Sequence, residues 1–210
     1  VDLDGGKILY PDLTRSDLGR GRRGEIHSRG PQIMQGYHKD PEGTARVLKD
    51  GWLNTGDIGM VTFNDCIEIL GRSKDTIVLL GGENVEPVPI EVKLVHSPLI
   101  DHCMVVGQDK KHLGALLVPS MEGFRSAGFT ANTLEELIAK PETPKAIAAE
   151  IRRLISAAEG FKGFERIADF GLLSIPFETG RELTPTFKLK RHVITETYQH
   201  LLAEMYPQNS

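Results

Sequence analysis

The apolar pattern of this chain changes character once, and that change limits what it can fold into. Up to Gly71, apolar residues come in short runs between Gly-, Asp- and Pro-rich turns, and Gly24–Ser28 and Cys66–Leu70 read as brief strands. No helix of useful length fits there, since Pro41 to Leu48 gives two turns at most. Beyond Asp75 strand and helix patterns mix. Thr76–Leu80 reads as a strand ended by Gly81-Gly82, and Pro89 opens a helix carrying Ile90, Leu94 and Val95. His102–Val106 and Leu113–Val118 read as a hairpin, and Thr133 with Glu136 as a capping box. A helix from Pro144 to Ala158 lines up Ile147, Ile151, Leu154 and Ile155. A strand near Ile167–Leu173, a polar turn at Thr179–Glu182 and a closing helix with Ile194, Tyr198, Leu201, Leu202 and Met205 complete the pattern. The fold class expected is α+β: a β-rich piece over 1–71, a polar hinge over 72–75, and a small mixed β-sheet with packed helices over 76–210.

With 40% hydrophobic and 26% charged residues, the chain can bury a core like an ordinary globular protein. A net charge of -4 argues against broad nucleic-acid affinity, which rests on phosphate neutralisation. The basic run Gly19–Arg23 sits among Asp12, Asp17 and Glu25 and reads as a solvated turn before an RNA contact. Cys66 and Cys103 form no close-spaced pair, which points to a reduced, cytoplasmic protein. No apolar run approaches the roughly 20 residues of a membrane span. The chain starts at Val1–Gly5 without an initiator Met, and reads as a piece of something longer.

Two polar segments carry the chemistry. Gly51–Asp57 offers a carboxylate from a Gly-punctuated turn, and Leu183–Arg191 offers several cations beside a helix start. Asp57, with glycines on both sides, either presents its carboxylate to a sugar diol or caps its own turn. Arg72 reaches a phosphate or hydroxyl with its planar fork, or belongs with Lys74 and Asp75 to a solvated linker. Gly81–Asn84 is a turn between strand and helix whose N–H groups offer an anion contact, without any Walker-type phosphate loop. Alternation at Phe187, Lys188, Leu189 and Lys190 describes either a solvated edge or a lysine that enters a closed site. No metal site is expected: His96, His102, Cys103 and His112 lack ligand spacing.

Four ordered segments then change the odds. They are Gly24–Pro31 with Gly36–Thr44, Gly51–Gly59, Gly71–Ile77 running into Gly81–Asn84, and Leu183–Arg191. Together they resemble the C-terminal portion of the adenylate-forming (AMP-binding) enzymes, in particular the long-chain fatty acid–CoA ligases. The resemblance implies that residues 1–71 end the large adenylating domain and that 76–210 form its mobile lid. It implies that Asp57 grips the ribose hydroxyls of ATP and of the acyl-adenylate, and that Arg72 contacts the same region. It further implies a hinge at Lys74, a thioester-forming loop at Gly81, Gly82 and Glu83 near the coenzyme A route, and a catalytic Lys188. The Thr-Pro-Thr-Phe-Lys-Leu-Lys form replaces the commoner Ser-Gly-Lys, which favours a fatty acyl substrate and leaves Lys190 as a rival two residues away.

The activity implied is conversion of a fatty acid through acyl-AMP to acyl-CoA, using ATP, Mg2+ and coenzyme A in the full-length enzyme. The pyrophosphate loop, the magnesium-binding segment and the acyl pocket would lie upstream of Val1. The isolated chain is therefore expected to fold at least from Lys74 onward, to hold no cofactor tightly and to catalyse neither half-reaction. The alternatives are a ligase that loads a carrier protein, or a non-catalytic interaction module with the same fold. Partners expected are fatty acid, ATP, CoA and the missing N-terminal domain, without nucleic acid and with transient contact at the inner face of a membrane.

Overall fold

The computed structural model describes residues 6–9, 21–64 and 66–207. Asp12, Asp17 and the first half of the basic run Gly19–Arg23 lie outside those residues, as do Val1–Gly5. The chain divides into two compact units, 1–76 and 77–210.

The first unit is one antiparallel sheet. Strands β1 (Gly6–Leu9), β2 (Arg23–Ser28) and β4 (Trp52–Val61) pair in that order. A two-residue strand β3 (Leu48–Lys49) and the longer β5 (Ile67–Arg72) both pair with β4, β3 with its first residues and β5 with its last. Helix α1 (Pro41–Val47) precedes β3; Asp40 caps it by accepting from the Gly43 N–H at 2.7 Å, and Pro41 opens it. Asp50 and Gly51, both at positive φ (53° and 77°), close the β3–β4 hairpin as the tight turn that Asp-Gly favours. Ile58, Val61 and Leu70 are its buried apolar side chains among the described residues.

The segment expected to be a turn, Gly51–Asp57, is thus mostly strand, and Asp57 stands inside β4. Arg23, expected in a solvated basic turn, begins β2. A 3-10 turn at Ser73–Asp75 follows β5 and carries Lys74, which is exposed.

The second unit begins with a two-stranded ribbon, β6 (Ile77–Val78) with β7 (Asn84–Val85), where a single strand over Thr76–Leu80 was expected. Helix α2 (Pro87–Val95) starts two residues before the expected Pro89. It buries Pro87, Ile90, Glu91 and Leu94, whereas Val95 is exposed. Strands β8 (Ile100–Val106) and β9 (Leu113–Pro119) form the expected hairpin, and β10 (Ile167–Leu172) joins β9 in parallel. That parallel pairing needs a long crossover, supplied by α3 (Met121–Ser126), α4 (Leu134–Ile138) and α5 (Glu142–Leu154). The expected closing helix is two, α6 (Arg191–Thr197) and α7 (Gln199–Met205), separated at Tyr198.

Both faces of the β8–β9–β10 sheet are covered, which explains why β9 is apolar without alternation. Cys103, Val105, Leu113, Ala115 and Leu117 pack with Ile90 and Leu94 of α2 and Ile147, Ile151 and Leu154 of α5. Met104, Leu116 and Val118 face the other way, onto Ile194, Tyr198 and Met205. Small sheets with packed helices make the chain a mixed α and β protein, as the sequence indicated. Among the described residues no helix is long and apolar enough to cross a membrane.

Candidate active-site residues

In the first unit, Asp57 is presented by a bulge. Pairing between β2 and β4 slips between Glu25–Ile58 and His27–Asn54, leaving extra residues on β4. Gly56 takes φ 70° there, a left-handed conformation that glycine adopts without strain. Side chains hold the distorted backbone. The Asn54 Oδ1 accepts from the Gly56 N–H at 2.7 Å, and the Thr55 Oγ1 accepts from the Asp57 N–H at 3.1 Å while donating to the Ile26 carbonyl at 2.8 Å. Ser73 donates to the Gly56 carbonyl at 3.2 Å, tying the turn after β5 to the bulge. The backbone freedom expected around Asp57 is therefore absent, and its direction is set by these bonds.

Arg72 stands directly across from Asp57 in the β4–β5 register, and its guanidinium lies 3.1 Å from the carboxylate. The Asp57 side chain is 26% exposed and that of Arg72 49%, so both ends reach solvent. A carboxylate that accepts, beside a fork that donates, suits a polyhydroxylated ligand better than either residue alone. The sequence named both residues without indicating that they touch.

In the second unit, Gly81, Gly82 and Glu83 form the turn of the β6–β7 ribbon rather than a link between strand and helix. Gly82 has φ 88°, and its N–H donates to the Leu79 carbonyl at 2.8 Å. The Leu80 N–H donates to the Lys110 carbonyl at 2.8 Å, which docks the ribbon on the β8–β9 turn. Of the N–H groups of Gly81–Asn84 expected to meet an anion, that of Gly82 is engaged by Leu79. A Cβ on Gly81 would come 2.4 Å from the Glu83 carboxylate, so that side chain lies over the Gly81 backbone.

Lys188 sits on an arm between β10 and α6. A bridge between Leu183 and Leu189 closes it, and the Thr184 N–H donates to the Lys188 carbonyl at 2.8 Å. The Thr184 hydroxyl accepts from the Lys188 N–H at 3.0 Å. At the tip Phe187 has φ 59° and is 75% exposed, which overturns the alternation that would turn its ring inward; the segment is a tight turn, not an edge strand. The two lysines differ. Lys190 donates from Nζ to the Gly180 carbonyl at 2.8 Å, whereas the exposed Lys188 ammonium has no partner among the described residues.

The base of the arm rests on Glu182 and Arg191, and on Glu91, which the sequence did not single out. Glu182, expected in a polar turn, is fully buried; its carboxylate accepts from the Glu178 N–H at 3.1 Å and faces Arg181 at 3.4 Å. Arg191 grips Glu91 through both nitrogens, at 2.8 Å and 2.7 Å. Burial pushes the neighbouring Cys103 thiol well up, with Glu91 adding to the rise and Arg191 opposing it. A signal existed for this pair. Glu91 occupies the apolar stripe of α2 with Ile90 and Leu94, and a charge there calls for an opposite partner.

Comparison with known proteins gives a consistent picture. The profile of the AMP-binding enzyme C-terminal domain matches residues 74–210. A chloroplastic long-chain-fatty-acid–[acyl-carrier-protein] ligase of Arabidopsis thaliana is 34% identical over 95% of this chain and 27% of its own length. A long-chain-fatty-acid–CoA ligase of Mycobacterium tuberculosis is 34% identical over 87% of this chain and 31% of its own. Among solved structures, the adenylation domain of a carboxylate reductase from Mycobacterium chelonae superposes with a TM-score of 0.78 at 26% identity, over 96% of this chain and 30% of that one. A corresponding domain from Segniliparus rugosus, solved with AMP and a co-purified carboxylic acid, gives 0.78 at 25% identity, over 97% of this chain and 31% of its own. The chain thus spans less than a third of the length of these relatives.

Proposed function

Because this chain belongs to the AMP-binding, adenylate-forming enzyme family, we propose that it works as the C-terminal part of an ATP-dependent ligase joining a long-chain fatty acid to coenzyme A. The observation that carries the reading is the contrast on the arm: Lys190 is tied to the Gly180 backbone, and Lys188 is exposed beside an exposed Phe187. A braced loop with a free ammonium at its tip suits delivery of positive charge to a site supplied elsewhere.

In the first half-reaction the fatty carboxylate attacks the α-phosphate of ATP, the bond to the β-phosphate breaks, and pyrophosphate leaves. Lys188 stabilises the negative charge that builds on the transferring phosphoryl group, an effect that grows in a site closed to water. Asp57 accepts from the ribose hydroxyls, with Arg72 beside it as donor. In the second half-reaction the coenzyme A sulfur attacks the acyl carbon and AMP leaves. Rotation about Lys74 exchanges Lys188 for the Gly81–Glu83 turn between the two steps, so one pocket serves both. In the full-length enzyme Mg2+ would neutralise charge on the ATP phosphates.

The test is Lys188→Ala in the full-length ligase. Fatty-acid-dependent ATP–pyrophosphate exchange should fall about 100-fold or more, while thioester formation from supplied acyl-adenylate is largely kept. Exchange at the wild-type rate would end the reading. Similarity to an acyl-carrier-protein ligase supports a second reading, in which the acceptor is a carrier's phosphopantetheine thiol. Offering coenzyme A and phosphopantetheinylated carrier protein in parallel separates the two.

A further inference from the structure

The arm that carries Lys188 is anchored near its base: Lys190 donates from Nζ to the Gly180 carbonyl at 2.8 Å, and Leu183 and Leu189 pack with Ile194 and Tyr198. On one side the Lys190 N–H donates to the Glu182 carbonyl at 2.8 Å. On the other, Arg191 follows immediately as the first residue of α6. Its two terminal nitrogens bind the two Glu91 oxygens at 2.8 Å and 2.7 Å, and one of them also points to the Val105 carbonyl at 3.5 Å. Glu91 is fixed in turn, because its Oε1 accepts from the Val105 N–H at 2.7 Å. One buried carboxylate thus joins α2, the strand β8 and the root of the arm across 100 residues of sequence.

Stability alone is a poor reason for such a pair. A buried ion pair seldom outperforms apolar side chains of the same size, since removing both charges from water offsets their attraction. What a bidentate pair supplies is direction: the planar fork meets the carboxylate in one orientation, which an apolar contact does not impose. Direction matters here because Lys188 lies three residues from Arg191, a reach of up to about 10 Å along the chain. Over that length a small tilt at the root moves the ammonium appreciably, and a misplacement of about 1 Å is worth as much as 100-fold in rate.

Resting on the function proposed above, we infer that Glu91 and Arg191 are positioning residues that aim Lys188 for the adenylation half-reaction, beyond stapling α2 to α6. The test uses the full-length ligase with Arg191→Lys, which keeps the charge and loses the fork, and Glu91→Gln, which keeps the shape and loses the charge. Melting curves identify which variants are folded. Each folded variant should lose about 10- to 100-fold in adenylation kcat, with the KM for ATP and the rate from supplied acyl-adenylate near wild type. In a Lys188→Ala background Arg191→Lys should add no further loss, because the pair acts only through that lysine.

A loss that multiplies with that of Lys188→Ala, or that reduces both half-reactions equally, would reduce the pair to a staple and overturn the inference. So would wild-type adenylation in both folded variants. If Lys188→Ala alone leaves adenylation intact, the catalytic assignment fails and takes the inference with it. Loss in Lys188→Ala with none in Arg191→Lys sinks the pair alone.

Discussion

Gly56 and Gly59 both stand close to Asp57 in β4, and they constrain the strand through different physics. Gly56 has φ 70° and nothing within 4 Å of where a Cβ would stand. Gly59 does not have a positive φ, but it stands where the β4–β5 register shifts, and a Cβ there would lie 2.7 Å from Ile26 Cδ1 and 2.9 Å from the Glu68 carbonyl oxygen. Gly56→Ala should therefore cost only the left-handed backbone, about 1 kcal/mol. Gly59→Ala forces β4 away from β5 and should cost about 2–3 kcal/mol. Denaturant titrations of the two variants measure both values; equal losses would refute the distinction. In the sequence these glycines look alike, and both read as freedom around Asp57. The Asp57–Arg72 contact was equally hidden, since it depends on the β4–β5 register, which shifts between Ile58 and Gly59. Glu91 was legible in principle, being a carboxylate in an apolar helical stripe. Its partner was not, because 100 residues separate the two.

Elements were legible where one face repeats without interruption. In α5 the residues Ile147, Ile151 and Leu154 are buried at the spacing the sequence shows, with Ile155 buried just past its end. The hairpin of β8 and β9 was equally plain, having long apolar runs on both sides of a polar turn. Strand β4 was hidden because Asn54, Thr55 and Gly56 interrupt its alternation with the polar groups that stabilise the bulge. The Asp50-Gly51 signal at its start was available all the same. The break between α6 and α7 falls at Tyr198, where no Gly or Pro marks it and only packing against Phe177 and Ile194 shows why the ring stays inside. The same packing logic predicts unequal responses within α5. Ile147→Ala removes a side chain with no exposure and should cost about 3 kcal/mol. Lys145→Ala, on the exposed face, should stay within about 0.5 kcal/mol. Shifts in the denaturant midpoint at constant slope test the pair, and a small loss for Ile147→Ala would mean the α5 face is not packed as described.

At the scale of the whole molecule, burial among the described residues is very uneven. Ile58, Val61 and Leu70 are the buried apolar side chains described before Thr76, whereas both hydrophobic clusters lie entirely in 77–210. A sequence pattern shows that apolar residues alternate, but not how many neighbours cover them. How few apolar side chains are buried among the described residues of the first unit was therefore not visible beforehand, even though its β character was. The second unit has the two covered sheet faces that an independent domain requires, and its length suits a single core. Residues 77–210 expressed alone should give a mixed helix and strand circular dichroism spectrum and a single cooperative melting transition. Residues 1–76 alone should show neither a sharp transition nor slow amide exchange, because the three apolar side chains buried among the described residues offset little of the chain entropy lost on ordering. A broad melt for 77–210 would mean that its two clusters depend on the preceding sheet. The second unit would then not move as a body, and the proposed rotation about Lys74 would have no rigid part to carry.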